Sequence, residues 1–140
     1  MDISGKVAVI TGGASGLGRA TVRRFNGLGG KCAIFDMNEE KGNALVEELG
    51  DNVIFINTNV TSEESVQAAI DKTMETFGAI HICCNYAGTG NAARIMRKKG
   101  PFPLDQFNKI IQINLVGTFN VLRLAAEKMA DNEPFNDDGG

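Results

Sequence analysis

The stretch Thr11-Gly12-Gly13-Ala14-Ser15-Gly16-Leu17-Gly18 constrains this chain more than any other. It follows Lys6–Thr11, a short apolar run of the kind that forms a strand buried on both faces. It opens a helical pattern from about Gly16 to Leu28, with Leu17, Ala20, Val22 and Phe25 among its apolar positions and Gly29-Gly30 as its stop. A glycine loop between strand and helix lets backbone amides approach a pyrophosphate that Cβ atoms would hold off. Gly12 suits the tight turn, Gly16 the close approach to the ligand, and Gly18 the packing of helix on sheet. Ser15 offers a hydroxyl at the same lip.

A second strand, Lys31 to Phe35, stops at Asp36, 20 residues beyond Gly16. An acid there grips ribose hydroxyls and repels a 2′-phosphate. Neither Phe35 nor Met37 brings a positive charge to offset it, so the expected cofactor is NAD rather than NADP. The plain alternative is a glycine turn with a strand-end aspartate capping the next helix. No Gly-Lys-Ser/Thr follows the loop, which excludes a nucleoside-triphosphate P-loop.

Further along, Glu39 to Leu49 reads as a helix closed by Gly50, and Asn52 to Ile56 as a third strand. Thr61 and Glu64 fit a capping box for a third helix, whose apolar spacing runs through Val66, Ala69, Ile70, Thr73, Met74 and Phe77 to Gly78. Ala79 to Cys84 is a fourth strand, Tyr86 to Pro103 a loop, and Leu104 to Ala130 one long helix. This alternation predicts an α/β fold, a doubly wound parallel sheet of Rossmann type cut off after the fourth strand and the long helix. Residues 1–130 form the nucleotide-binding half-domain, and residues 131–140 a polar tail or truncated loop.

The long helix is apolar on more than one side, with Phe107, Ile111, Leu115, Leu122 and Met129 on one and Ile110, Ile113, Val121 and Leu124 on another. Such a helix is expected to be buried on several sides. A net charge of −3 gives no reason to expect nucleic acid. No apolar run has the length of a membrane span, and no signal peptide or Arg-rich transit peptide leads the chain, so secretion is not expected. Cys32, Cys83 and Cys84, odd in number and set in strand-like runs, read as buried reduced thiols. The lone His81 reads as a structural imidazole inside a strand, and no metal site is expected. Arg94, Arg97, Lys98 and Lys99 make a basic loop, solvated in the plain reading and touching a CoA phosphate in the functional one. Glu47-Glu48 and Glu63-Glu64 read as solvated helix positions.

The spacing Thr-Gly-x-x-x-Gly-x-Gly resembles that of the short-chain dehydrogenase/reductase family, and further segments match it in order. Asn59-Val60 stands where the family has Asp-Val or Asp-Leu, Asn85-Tyr86-Ala87-Gly88 where it has Asn-Asn-Ala-Gly, and Asn114 resembles its helix asparagine. The match runs over essentially all of the chain but about half of such an enzyme. It is best with a mitochondrial, NAD-dependent branch that oxidises 3-hydroxyacyl-CoA and hydroxysteroids. The resemblance implies cofactor contacts at Ser15 and Leu17 (pyrophosphate), Asp36 (ribose), Asn59 and Val60 (adenine) and Tyr86, with Ala87 and Gly88 completing that segment. It implies a small-molecule substrate, homo-oligomers packed through the long helix, and a mitochondrial location with the cytoplasm as alternative. Asn59 replaces an acid and accepts more weakly than a charged group. Tyr86 replaces a small residue, so its ring would crowd the cofactor or stack on it.

Hydride transfer in this family uses a Tyr, a Lys four residues later and a Ser. The one tyrosine is Tyr86, followed at that distance by Gly90, and Ser4, Ser15, Ser62 and Ser65 are not placed to hold substrate. Asn114 remains, in the family's role of anchoring a water in the proton relay. The expectation is an NAD(H)-binding portion of a dehydrogenase for a secondary alcohol or 3-hydroxyacyl-CoA, inactive by itself. The alternatives are a non-catalytic nucleotide-binding or interaction module and, more remotely, a Rossmann methyltransferase. The Ile80–Cys84 strand, left as an apolar open edge, predicts poor solubility.

Overall fold

The computed structural model describes residues 2–134, so the expected polar tail is described only as far as Pro134, and residues 135–140 lie outside the described residues. Four strands, β1 (Val7–Thr11), β2 (Lys31–Asp36), β3 (Val53–Asn57) and β4 (Ile82–Asn85), form a parallel sheet in the order β3-β2-β1-β4. Helices α1 (Gly16–Gly27), α2 (Glu39–Leu49) and α3 (Glu63–Phe77) connect them in turn. The doubly wound α/β arrangement read from the sequence is present.

Alternate residues of β1 and β2 feed two separate cores, as a strand covered on both faces requires. Ala8, Ile10, Cys32 and Ile34 meet Val22 and Phe25 of α1 and Leu45 of α2. Val9, Ala33 and Phe35 meet Val66, Ala69 and Ile70 of α3 and Val121, Leu124 and Ala125 further on. Side chains of this size contribute about 1.5–3 kcal/mol each when fully buried. The β4 thiols obey the same alternation, Cys83 lying against the second core and Cys84 against the first. All three cysteines are free, Cys32 buried and the others half-buried. Burial pushes the Cys32 thiol up to about 12 and Cys83 up to about 11.

Local chemistry moves several boundaries from where the sequence places them. The cap of α3 is Ser62, not Thr61: its hydroxyl accepts from Ser65 N at 3.2 Å, while Thr61 turns back to Asn59. His81 precedes β4 by one residue rather than lying within it. Its main chain continues the ladder (N to Val7 O, 2.9 Å) and its Nδ1 accepts from Val7 N at 3.0 Å, so the imidazole does structural work. Within the loop after β4, Met96–Arg97 (β5) and Gly100–Pro101 (β6) form a small antiparallel hairpin.

The long helix is three segments: α4 (Leu104–Ile111), a π-helical stretch Gln112–Gly117, and α5 (Thr118–Met129). At the π stretch, Thr118 N turns to Leu115 O and Thr118 Oγ1 donates to Asn114 O at 2.8 Å. Within this chain one side of the helix is buried, against the sheet and α3. Val121, Leu124 and Ala125 are covered by the sheet, whereas Leu104, Phe107, Leu115, Phe119 and Leu122 are exposed. Among the described residues no helix is long and apolar enough to cross a membrane.

Candidate nucleotide-binding site

The strand order reverses beside β1, with β2 on one side and β4 on the other, and the loops leaving the strands part there. Open parallel sheets bind ligands at such a switch point, outside the carboxyl ends of the strands. A cleft of about 290 Å³ lies at this place. Its walls come from all four strand ends: Gly12 and Ser15 after β1, Asp36 and Met37 at β2, Thr58 to Val60 after β3, and Tyr86 to Thr89 after β4. Most of the residues singled out from the sequence therefore meet in one place.

The glycine loop is held by contacts no side chain would allow. A Cβ on Gly18 would stand 2.3 Å from Gly12 O, and one on Gly12 (φ +63°) would stand 2.8 Å from Ala87 N. Both neighbours are backbone and cannot step aside. Gly16 (φ +51°) is different, since nothing lies within 4 Å of its missing Cβ. Its requirement is the left-handed turn, and the space beside it is open.

The N-terminus of α1 differs from those of α2 and α3. Helices α2 and α3 have their own caps, Asn38 and Ser62, and carry Glu39-Glu40 and Glu63-Glu64 in their first turns. In α1 the cap residue Ser15 makes no side-chain cap hydrogen bond, and the first turn has no acid. Unsatisfied amides and the positive end of the helix dipole are left facing the cleft mouth. Leu17 is exposed, not part of the core, and lies outside the cleft, in a separate depression with Ala20, Thr21 and Tyr86.

Asp36 does not cap α2, which is the task of Asn38, whose Oδ1 accepts from Lys41 N at 3.0 Å. Its carboxylate instead ties two segments together, Oδ2 accepting from Ala14 N at 3.1 Å and Oδ1 from Asn38 N at 3.0 Å. Each oxygen keeps acceptor capacity for a hydroxyl in the cleft. On the opposite wall, Asn59 Oδ1 accepts from both Thr61 N (3.1 Å) and Thr61 Oγ1 (2.8 Å). The oxygen expected to receive an amino group is thus already engaged locally.

Tyr86 leans towards α1, its hydroxyl 3.1 Å from Thr21 Oγ1, with its ring at the edge of the cleft. Thr11, buried at the end of β1, organises the turn beneath it: Oγ1 accepts from Tyr86 N and Ala87 N, both at 3.0 Å. Asn114 is paired with the main chain of Thr89, Nδ2 to O and N to Oδ1, both at 2.9 Å. It braces the loop after β4 from the π stretch. Sequence reasoning passed over the roles of Thr11 and Thr89; a threonine closing a buried strand was the available signal for the first. The basic loop residues Arg94, Lys98 and Lys99 are exposed and lie outside the cleft. Among the described residues no group of three His, Cys, Asp or Glu side chains is arranged to hold a metal.

Fold and cleft together define an α/β protein of the doubly wound, Rossmann-type class. The family model for short chain dehydrogenases matches residues 6–134, and the chain belongs to that family of oxidoreductases, which use nicotinamide dinucleotides. Among its relatives is 3-hydroxyacyl-CoA dehydrogenase type-2 of Drosophila melanogaster, 44% identical over 139 residues, 98% of this chain and 54% of that protein. The Rattus norvegicus protein of the same name is 44% identical, over 99% of this chain and 53% of its own length. The crystal structure of 3-hydroxyacyl-CoA dehydrogenase type-2 from Mycobacterium avium superposes with a TM-score of 0.86 at 43% identity, covering 96% of this chain and 52% of that one. The chain spans about half the length of the relatives it matches.

Proposed function

We propose that this chain binds NAD(H) in the cleft at the ends of β1 to β4, as the nucleotide-binding portion of an enzyme that oxidises a secondary alcohol or a 3-hydroxyacyl-CoA. The observation that carries the reading is the pairing of an uncapped, acid-free α1 N-terminus with the Asp36 carboxylate across one cleft. Gly12, Gly16 and Gly18 shape the lip. Ser15, Leu17 and the α1 amides hold the pyrophosphate, Asp36 takes the ribose hydroxyls, and Asn59 and Val60 flank the adenine. Tyr86, Ala87 and Gly88 form the far wall. NAD is preferred because a 2′-phosphate would meet Asp36, and the adjacent Met37 offers no countercharge. Bound there, the nicotinamide would supply a hydride acceptor. Asn114 keeps the Thr89 loop in place and, by the family resemblance, would anchor a water for a proton relay.

Acid–base work on a carbinol oxygen needs a group whose pKa is tuned for it. Tyr86 has its hydroxyl on Thr21 and no lysine beside it in sequence, which supports the reading that residues 1–140 do not turn over by themselves. The same observation favours a second reading, a nucleotide-binding or interaction module without catalysis. The relatives' 3-hydroxyacyl-CoA activity, the mitochondrial location and assembly into homo-oligomers belong to this proposal through the family resemblance.

Fluorescence titration tests it. NADH should bind and NADPH bind more weakly, and Asp36→Asn should weaken NADH while narrowing the difference between the two. No binding at millimolar NADH, or NADPH binding as tightly as NADH, refutes the proposal. Oxidation of a hydroxyacyl-CoA by this chain would refute its inactivity.

A further inference from the structure

We propose that Asn120, on α5 and outside the cleft, is a positioning residue that sets the adenine wall by gripping the Val60 carbonyl. The inference rests on the nucleotide reading of the cleft above. Asn120 is 7% exposed, and its Nδ2 donates to Val60 O at 3.0 Å across 60 residues of chain. Its Oδ1 accepts from Arg123 Nη2 at 3.0 Å, and the same Nη2 lies 2.9 Å from Glu63 Oε1.

The direction of this chain of contacts is set by chemistry. A guanidinium only donates, so the amide atom facing Arg123 must be oxygen, and the NH2 is left facing Val60. An exposed ion pair such as Arg123–Glu63 contributes little stability by itself. Its effect here is to fix which way the buried amide points.

One turn earlier, Gly117 lets the same helix reach Val60 by shape. A Cβ on Gly117 would stand 2.6 Å from Val60 Cγ2. Val60 is thus held by its carbonyl at Asn120 and by its side chain at Gly117, both on the helical rod. Its neighbour Asn59 is held from the other side, N donating to Ser65 Oγ of α3 at 3.0 Å. The adenine wall is therefore a short loop clamped between two helices, and α5 provides one jaw.

The test separates positioning from general support by splitting the dinucleotide. Asn120→Asp keeps the shape and the Arg123 contact but replaces the donor with an oxygen facing Val60 O. It should weaken NADH and ADP about fivefold to tenfold, the scale of one lost hydrogen bond, and leave nicotinamide mononucleotide unchanged. Gly117→Ala, which displaces Val60 without touching Asn120, should give the same selective loss and serves if the first variant fails to fold. Equal losses for both halves, or no loss in either variant, overturn the proposal. Hydrogen exchange without nucleotide gives a readout independent of the nucleotide reading. The Asn59 and Thr61 amides should exchange about fivefold faster in Asn120→Asp, and unchanged exchange overturns the grip whatever NADH does. Failure of the unaltered chain to bind NADH or ADP would instead count against the nucleotide reading.

Discussion

Replacing Thr11 with valine tests how the β4 loop is held, because it removes an acceptor while preserving a shape. Thr11 is 1% exposed, so no water is at hand to replace its hydroxyl. Two amides depend on Oγ1, but unequally. Tyr86 N also reaches Thr11 O at 3.2 Å, whereas Ala87 N is given Oγ1 at 3.0 Å as its partner. The variant therefore strands one N–H, not two. A buried donor left unmade costs about 1–3 kcal/mol, and the half-buried position of Ala87 puts the expectation at about 1–2 kcal/mol. For a chain of this length that is a fall of roughly 3 to 7 °C in Tm. The damage should spread to the cleft, because Gly12 packs directly on the Tyr86–Ala87 peptide. Thermal unfolding followed by circular dichroism, with NADH titration alongside, measures both effects. Thr11→Ser, which keeps the hydroxyl, should recover most of the loss. A valine variant as stable as the original would refute the account of this turn.

Two further perturbations address the opposite end of the sheet and the outer helix face. Burial, and secondarily the charge of Lys6, hold the His81 imidazole below its usual pKa of 6.5. Neutral Nδ1 is what accepts Val7 N. Its contribution to stability is complete above pH of about 6.5, declines as pH falls towards the folded-state value, and changes no further below it. His81→Asn, whose oxygen can accept the same bond, should flatten the Tm difference between roughly pH 7.5 and pH 5.5, and an undiminished slope would assign that slope to other groups. Leu115 and Phe119 are 64% and 63% exposed on the bare side of the helical rod. Changing both to glutamate should shift the chain towards monomer in sedimentation velocity, and an unaltered distribution would show that this face does not drive self-association.

Elements with a clean period were legible from sequence. Both strands of the central pair alternate into two cores, and the glycine loop and Asp36 stand where the strand-to-helix geometry demands them. What escaped was competition between similar groups at short range. Thr61 and Ser62 are both capping residues, and Asn59 decided between them by engaging Thr61 through its side-chain oxygen. The π stretch around Asn114 left no mark on composition, because a single widened turn disturbs the helical period too little to see. The exposure of the outer helix face within this chain is a different matter. Apolar residues all round a helix report that something covers each side, not that this chain does.

If the cleft binds a dinucleotide as proposed, Asp36 accounts for how compactly its binding residues are encoded. Its carboxylate orders the glycine loop through Ala14 N and the start of α2 through Asn38 N before any ligand arrives. Pre-ordering of this kind lowers the entropy that binding would otherwise cost. It needs only residues at the ends of adjacent parallel strands, and β1 to β4 provide all of them within 89 residues of the N-terminus. Proton transfer has no such local solution. It needs an acid with a tuned pKa, and the one tyrosine, Tyr86, has its hydroxyl on Thr21. On β4, the buried acceptor Asn85 Oδ1 has no hydrogen-bond partner among the described residues, while its amide nitrogen donates to Cys83 Sγ at 3.4 Å. On the proposed reading, nucleotide binding is a property of the loops at the carboxyl ends of β1 to β4, and it needs none of the acid–base groups that hydride transfer requires.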